Sequence, residues 1–198
     1  MIKLNIFIKY LFGFIIFCCL SDNNQTQKTI TSGELIVNGK TYDLTHGIIL
    51  PNFKGSDPNF AKIRFDMIIL SNGNIAIEND NFIYSDNLTQ FVGLNLVSPV
   101  SDSKVFENTK FMNYNANKPI SNLNRNKPFI DGDVINTNAV FKNTQYVSSD
   151  YFMLWDFDGH AEITEIGGIY TISFSFSNSE NMISGSFKGK LTELHYQY

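Results

Sequence analysis

The sequence predicts an all-β protein in which an antiparallel meander closes into a small barrel or a β-sandwich. Apolar and polar residues alternate with a period of two through much of the chain, which is typical of strands that bury one face. Turn-forming Asn-Gly and Gly-Gly pairs separate several of these runs. The chain also has 18 Phe and 9 Tyr, and strands favour aromatic residues. Neither a heptad pattern nor a long helical period competes with this prediction.

Residues 1–18 are predicted to be a signal peptide rather than part of the fold. Lys3 and Lys9 supply a positively charged start, and residues 10–17 form a short apolar run. A membrane-spanning helix needs about 20 apolar residues, so this run is too short to cross a bilayer.

The end of this segment resembles the lipobox of bacterial lipoprotein signals. In Ile16-Phe17-Cys18-Cys19, an aliphatic residue stands three positions before the acceptor cysteine and a small residue stands next to it. The resemblance implies cleavage before Cys19, a lipid on Cys19 and anchoring in the outer membrane, with the protein facing the periplasm or the cell surface. A plain secretory signal and an uncleaved membrane anchor are the alternatives.

Residues 19–32 are predicted to be the lipidated cysteine and a flexible tether, because they are polar. Their start, Ser21-Asp22-Asn23-Asn24, resembles the segment that follows the lipidated cysteine in Bacteroidota lipoproteins, which implies surface display. Residues 33–198 are predicted to form a single β-domain. Both cysteines of the chain lie in the signal region, so the mature domain would have no disulfide, cysteine nucleophile or thiolate metal site.

The N-terminal part of the domain predicts short strands and tight turns. Residues 34–37 and 40–44 flank Asn38-Gly39, the strongest short signal for a hairpin, because a type I′ turn needs positive φ at both central residues. Residues 61–70 predict a longer strand that turns at 71–74 into residues 75–77. Residues 90–97 predict another short strand.

The middle of the chain, residues 98–133, predicts long loops around one strand near residues 104–114. Three prolines and many asparagines interrupt it, and these residues favour turns. Because loops of this length are uncommon unless they are functional or disordered, we expect a binding surface here.

The C-terminal third predicts a regular meander. Residues 160–165 lead through Gly167-Gly168 into Ile169–Ser177, where every second residue is apolar. In residues 183–191, glycines share the inward face with large apolar residues, which relieves crowding and lets the strand coil. Such a one-sided meander must close on itself or pack on a second sheet.

The closing hairpin, residues 168–174 followed by 183–189, resembles that of Bacteroidota lipoproteins with lipocalin-like barrels. The resemblance implies a lipocalin-like or sandwich β-domain. That group has no established activity that it would imply for this chain.

The charge of the chain argues against nucleic acid as a partner. The formal net charge is −4, the isoelectric point is about 5.3, and basic residues are scattered singly. Phosphate backbones are bound by clustered Lys and Arg.

One segment and a set of three separate histidines offer candidate metal ligands. Asp156-Phe157-Asp158-Gly159 has the alternate carboxylates and glycine of a calcium loop, so weak calcium binding by Asp156 and Asp158 is a hypothesis. The full calcium-loop spacing is absent, and a polar turn is the more frequent structure. Three histidines, His46, His160 and His195, would need tertiary contacts to form a zinc site, and a structural role is more frequent for such residues. No other cofactor is predicted.

Residues 151–155, which end in Trp155, have two interpretations. They can form an aromatic platform for a sugar or an apolar ligand, although such a run is more often a core strand. The alternating residues 194–198 at the end of the chain are also typical of the last strand of an outer-membrane β-barrel.

These observations favour a non-enzymatic β-domain of the cell envelope that is anchored to the membrane by lipid and binds an unknown protein or small-molecule ligand. The alternatives are a hydrolase of envelope or extracellular polymers and an integral outer-membrane β-barrel. The sequence contains no Gly-x-Ser-x-Gly elbow and assigns no catalytic residue. A hydrolase would need carboxylates or histidines converging in one cleft, with Asp156, Asp158 and His160 as candidates.

Overall fold

The computed structural model describes residues 31–51, 63–79, 81–99, 106–117, 127–132 and 134–195. The predicted signal peptide, Cys19 and almost all of the tether lie outside these residues. Strands account for 69% of the described part, which contains no α-helix, so the all-β prediction is confirmed. Within the same part, no helix has the length and apolarity needed to span a membrane.

The described strands form one large sheet and a separate hairpin. In chain order they are β1 (Ser32–Val37), β2 (Lys40–Leu44), β3 (His46–Leu50), β4 (Ile63–Ser71), β5 (Ile75–Glu78), β6 (Asn81–Tyr84), β7 (Phe91–Pro99), β8 (Thr109–Asn113), β9 (Phe129–Ile130), β10 (Val134–Lys142), β11 (Gln145–Met153), β12 (Asp158–Ile166), β13 (Ile169–Ser177), β14 (Met182–Gly189) and β15 (Thr192–Glu193). A 3-10 turn, Leu154–Asp156, joins β11 to β12.

The large sheet curls into a half-barrel. Its main path runs β15-β3-β4-β7-β9-β8-β12-β13-β14-β1-β2, so β2 and β3 lie near opposite ends of the order. Thr45 alone separates these two strands in the chain, and one residue spans less than about 4 Å. The sheet must therefore bend until its two ends approach each other.

The predicted local turns are present. Asn38 and Gly39 have φ of 50° and 81° and join β1 to β2, while Gly167 and Gly168 have φ of 62° and 80° and join β12 to β13. Among the described residues with positive φ, all except glycines and Thr144 are asparagines. Asparagine therefore serves in these turns as the residue that accepts left-handed geometry.

The topology departs from a simple meander at three places. Pairs β8–β9 and β3–β15 are parallel. The turn at residues 71–74 does join β4 to β5, but β5 pairs only with β6, and β4 pairs with β3 and β7. In the middle region, the predicted strand is shorter, at Thr109–Asn113, and β9 was not predicted.

The inner face of the half-barrel holds the main core. On β13, Ile172, Phe174 and Phe176 are buried while the intervening polar residues are exposed, as the alternation predicts. A Cβ on Gly185 of β14 would overlap Cζ of Phe174. The inward glycine thus makes room for an aromatic ring on the neighbouring strand, as expected.

A second apolar cluster lies on the outer face of β3, β4 and β7. The β5–β6 hairpin and the end of β10 cover this face, and the rings of Tyr84 and Phe141 stack there at 4.7 Å between centroids. Strands β3 and β7 are consequently buried on both faces. Strand β10 leaves β7 after two paired residues and continues outward with β11 as a hairpin.

Candidate functional site

The candidate site lies beside β7, where the neighbouring strand position in the sheet is interrupted. Strands β9 and β10 both pair antiparallel with the same edge of β7, at Leu96↔Ile130 and Val92↔Ile135. They therefore occupy the same position in the sheet, one after the other, and residues 131–133 separate them. Asn95 of β7 lies opposite the interruption.

Two further strands end at this interruption. Strand β8 runs parallel to β9, and its last residue, Asn113, pairs with Ile130. Strand β11 runs antiparallel to β10, and its last residue, Met153, pairs with Val134. The two strands thus approach from opposite directions and leave a gap between their C-terminal ends.

A cleft of about 380 Å³ opens at this gap. The described residues that line it combine aromatic and apolar groups with an amide and a carboxyl side chain: Asn95, Tyr114, Ala116, Asp131, Gly132, Val134, Met153 and Trp155. Trp155 is 52% exposed and Met153 is 40% exposed. The floor of the cleft is therefore apolar, although it is open to solvent.

Gly132 sets the position of the Trp155 indole. Its φ is +54°, and a Cβ at this position would overlap Nε1 and Cδ1 of the indole. Only glycine lets the ring lie this close to the backbone without a steric cost. The loop between β9 and β10 and the turn after β11 therefore pack directly against each other.

Asn113 anchors the other side of Trp155. Its Nδ2 donates hydrogen bonds to the carbonyl oxygens of Leu154, at 2.6 Å, and Phe157, at 2.8 Å. The backbone N–H of Ala116 donates to the carbonyl of Trp155 at 2.8 Å. These bonds hold the backbone on both sides of the indole, so the ring is presented in a fixed place.

The polar wall of the cleft is also held by hydrogen bonds. Nδ2 of Asn95 donates to the carbonyl of Gly132 at 3.1 Å, and the backbone N–H of Asp131 donates to the carbonyl of Asn95 at 2.9 Å. Asn95 therefore connects β7 to the loop that carries Gly132.

The interpretation of residues 151–155 as a core strand is wrong for most of the run. Tyr151 is 60% exposed and Trp155 is 52% exposed, whereas Leu154 is fully buried. Strand β11 pairs only with β10 among the described strands, so it lies at an edge of the sheet, where most of its residues are exposed.

Asp156 and Asp158, the candidate calcium ligands, lie beside the cleft and do not line it. Asn117 donates to the carboxylate of Asp156 at 3.1 Å, and Asn115 donates to that of Asp158 at 3.2 Å. These carboxylates help to dock residues 115–117 onto the 3-10 turn. Calcium binding by the pair stays a prediction.

The three histidines lie in different parts of the sheet. His46 begins β3, His160 lies on β12, and His195 follows β15. Within the described ranges, no three His, Cys, Asp or Glu side chains are placed to share a metal ion. His160 lies 3.7 Å from Glu162, and a hydrogen bond from Lys110 to Glu162 lowers the pKa of that carboxyl.

Sequence reasoning assigned no role to Asn95, Tyr114 or Gly132. Asn95 is the one polar residue between Phe91 and Val97, in a strand buried on both faces. Asn95 itself is half-buried, and a polar group inside such a strand favours a hydrogen-bond partner, so this interruption of an apolar run was a usable signal.

The chain matches no protein-family model, no curated protein and no solved structure in the comparisons made. The chemistry of the cleft therefore rests on its own residues. An indole, a phenol and a thioether beside an amide and a carboxylate are suited to a ligand with both an apolar face and hydrogen-bonding groups.

Proposed function

We propose that this chain is a non-enzymatic, lipid-anchored β-domain of the bacterial cell envelope that binds a ligand in the cleft at Trp155. The observation that carries the proposal is the half-exposed indole, held between Gly132 and the backbone bonds of residues 113–117. Exposed apolar surface that is contiguous and bordered by polar residues is typical of binding sites. The cleft includes residues of the middle loops, where the sequence predicts a binding surface.

The hydrolase alternative has less support from the arrangement of side chains. Its candidates Asp156, Asp158 and His160 are absent from the lining of the cleft, and Asp131 is the one carboxylate among the described lining residues. Hydrolysis of glycosidic bonds generally uses two carboxyl groups that face each other across the substrate.

The proposed location in the cell envelope rests on the lipobox-like sequence that ends at Cys19. A tether of about 12 residues has a typical end-to-end distance of roughly 20 Å, so the start of the β-domain would remain close to the membrane surface. Labelling of cells with radioactive palmitate tests this part. We expect labelling that globomycin and Cys19→Ala both abolish, and labelling that persists in Cys19→Ala would contradict the proposed anchor.

Binding in the cleft can be followed with the protein's own fluorescence. The chain has 1 Trp, so its emission above the tyrosine band reports on this cleft alone. Titration with envelope extracts, fractionated into glycan, lipid and peptide pools, is expected to shift that emission in at least one pool.

Calorimetry with the active pool then tests the site, because it does not need the indole as a reporter. Trp155→Ala is expected to abolish the heat of binding. Ile166→Ala removes a side chain that is 75% exposed at the β12–β13 turn, away from the cleft, and is expected to leave the heat unchanged. Equal binding by the two variants, or no response to any pool, would overturn the proposed function.

A further inference from the structure

The apolar surface of the cleft continues along the outward face of β11. Phe152 packs against the inner core, so its neighbours Tyr151 and Met153 point away from the core. Tyr151 is 60% exposed and Met153 is 40% exposed. Met153 lines the cleft with Trp155, so the three side chains form a continuous strip, the β11 strip.

The length of the β11 strip exceeds that of a single small ligand. A strand rises about 3.3 Å per residue, so Tyr151 lies roughly 7 Å beyond Met153 along the chain. That step is comparable to one pyranose unit. A linear ligand that occupies the cleft would therefore reach Tyr151 with its next units.

The charge of the strip selects against anions. Residues 145–155 contain no Lys or Arg, and their one acidic residue, Asp150, accepts a hydrogen bond from Asn138 at 2.7 Å. Among the described residues that line the cleft, Asp131 contributes a carboxyl group and none is basic. A polyanion would therefore meet like charge along this described surface.

The composition also favours a sugar over a wholly apolar ligand. Pockets for apolar small molecules enclose most of their ligand, whereas half of the Trp155 surface faces solvent. A pyranose ring presents a face of C–H groups that stacks on an indole, while its equatorial hydroxyls remain in water or bond to amide and carboxyl groups. Asn95 and Asp131, which line the cleft, supply an amide and a carboxyl group of this kind.

We infer that the ligand is an uncharged oligosaccharide that stacks on Trp155 and extends along β11 to Tyr151. This inference rests on the proposed function and adds the ligand class and a second subsite. Trp155 binds the first unit, Met153 contacts the linkage, and Tyr151 contacts a unit further along.

The test measures binding of the protein to an array of uncharged oligosaccharides that covers the common hexose and N-acetylhexosamine linkages. Uronate-containing glycans and extended peptides serve as competitors. We expect binding to at least one uncharged series, with affinity that rises with chain length and then levels off. Binding to none of these series, or displacement of the bound oligosaccharide by an extended peptide at lower concentration, would overturn the inference.

Tyr151→Ala tests the second subsite within the positive series. We expect roughly a five- to tenfold loss of affinity for the longest oligomer and no change for the shortest ligand that binds. The matched control is Tyr146→Ala, since Tyr146 is 53% exposed on the same strand but its ring contacts Phe141, outside the β11 strip. The control should bind every length like the wild type.

The outcomes separate this inference from the proposed function. If Trp155→Ala abolishes binding and Tyr151→Ala changes the affinity for oligomers of every length by the same factor, the cleft binds a ligand but the proposed second subsite is wrong. If Trp155→Ala has no effect on binding of any ligand, both proposals fail.

Discussion

Gly132 and Trp155 pack so closely that the indole occupies the space where any other residue at position 132 would place its Cβ. The two residues belong to different connections, one between β9 and β10 and the other after β11. Their contact therefore joins the connection between β9 and β10 to the C-terminal end of β11. It also decides where the exposed aromatic surface of the protein lies.

Gly132→Ala is expected to displace the indole and to lower the free energy of unfolding by about 2–4 kcal/mol. The methyl group would overlap Nε1 of Trp155, and the φ of +54° is unfavourable for alanine. Urea unfolding measures the stability, and the emission maximum of the one tryptophan measures the displacement.

Gly167→Ala is the matched control for that substitution. Gly167 has a φ of +62°, but no atom lies within 4 Å of the position of its Cβ. We expect a loss of about 1 kcal/mol from the backbone alone, with unchanged tryptophan emission. If both variants lose the same stability and keep the same emission, Gly132 has no role in placing the indole.

Asn113→Ala is expected to loosen the turn that carries Trp155. The substitution removes the donors to the carbonyls of Leu154 and Phe157, and lost hydrogen bonds to buried carbonyls cost about 1–3 kcal/mol. Quenching of tryptophan fluorescence by acrylamide should increase, and the urea midpoint should fall.

Asn117→Ala provides the comparison for Asn113. It also removes a hydrogen bond to the turn, from Nδ2 to the Asp156 carboxylate, but both groups are exposed. Its expected cost is about 0.5 kcal/mol or less, and the quenching should hardly change. An equal increase in quenching for the two variants would contradict the anchoring role of Asn113.

Gly185→Ala is expected to destabilise the domain by about 1–3 kcal/mol without a change in the Trp155 environment. A methyl group there would overlap the ring of Phe174 and the carbonyl oxygen of Glu34. Ser186→Ala, on the exposed face of the same strand, should stay within about 0.5 kcal/mol of the wild type. Similar urea midpoints for the two variants would show that the ring of Phe174 can move to make room for the added methyl group.

Stability is expected to decline in alkaline solution through Tyr170. Burial, together with the carboxylates of Glu165, Glu193 and Asp66, raises the pKa of Tyr170 above its ordinary value of 10.0. The folded state therefore holds this proton more tightly than the unfolded state. The stabilisation is complete below the unfolded pKa and is lost as pH rises through the folded pKa.

Tyr170→Phe removes this titration while keeping the ring. Urea midpoints of the two proteins, measured from neutral pH to above about pH 10, should show a steeper alkaline fall for the wild type. Ultraviolet absorbance should show that the variant lacks a late-titrating phenol. Parallel curves for wild type and variant would exclude a contribution from this residue.

The sequence by itself determined the elements whose signals are local. The alternation in β13, the Asn38-Gly39 and Gly167-Gly168 turns and the inward glycine of β14 all follow from side chains within a few residues of one another. A strand pattern and a turn depend on neighbouring residues in the chain, so both can be recognised in the sequence before the partner strand is known.

Only the tertiary structure decided which strands pair and where the cleft forms. The parallel pairs, the outer β5–β6 hairpin and the contact of Gly132 with Trp155 each join residues that are distant in the chain. Trp155 shows the difference most clearly, because its apolar neighbours predict a buried strand. It remains half exposed because it follows β11, which lies off the main path of the curled sheet, an arrangement that depends on how β10 leaves β7 and that no short stretch of sequence encodes.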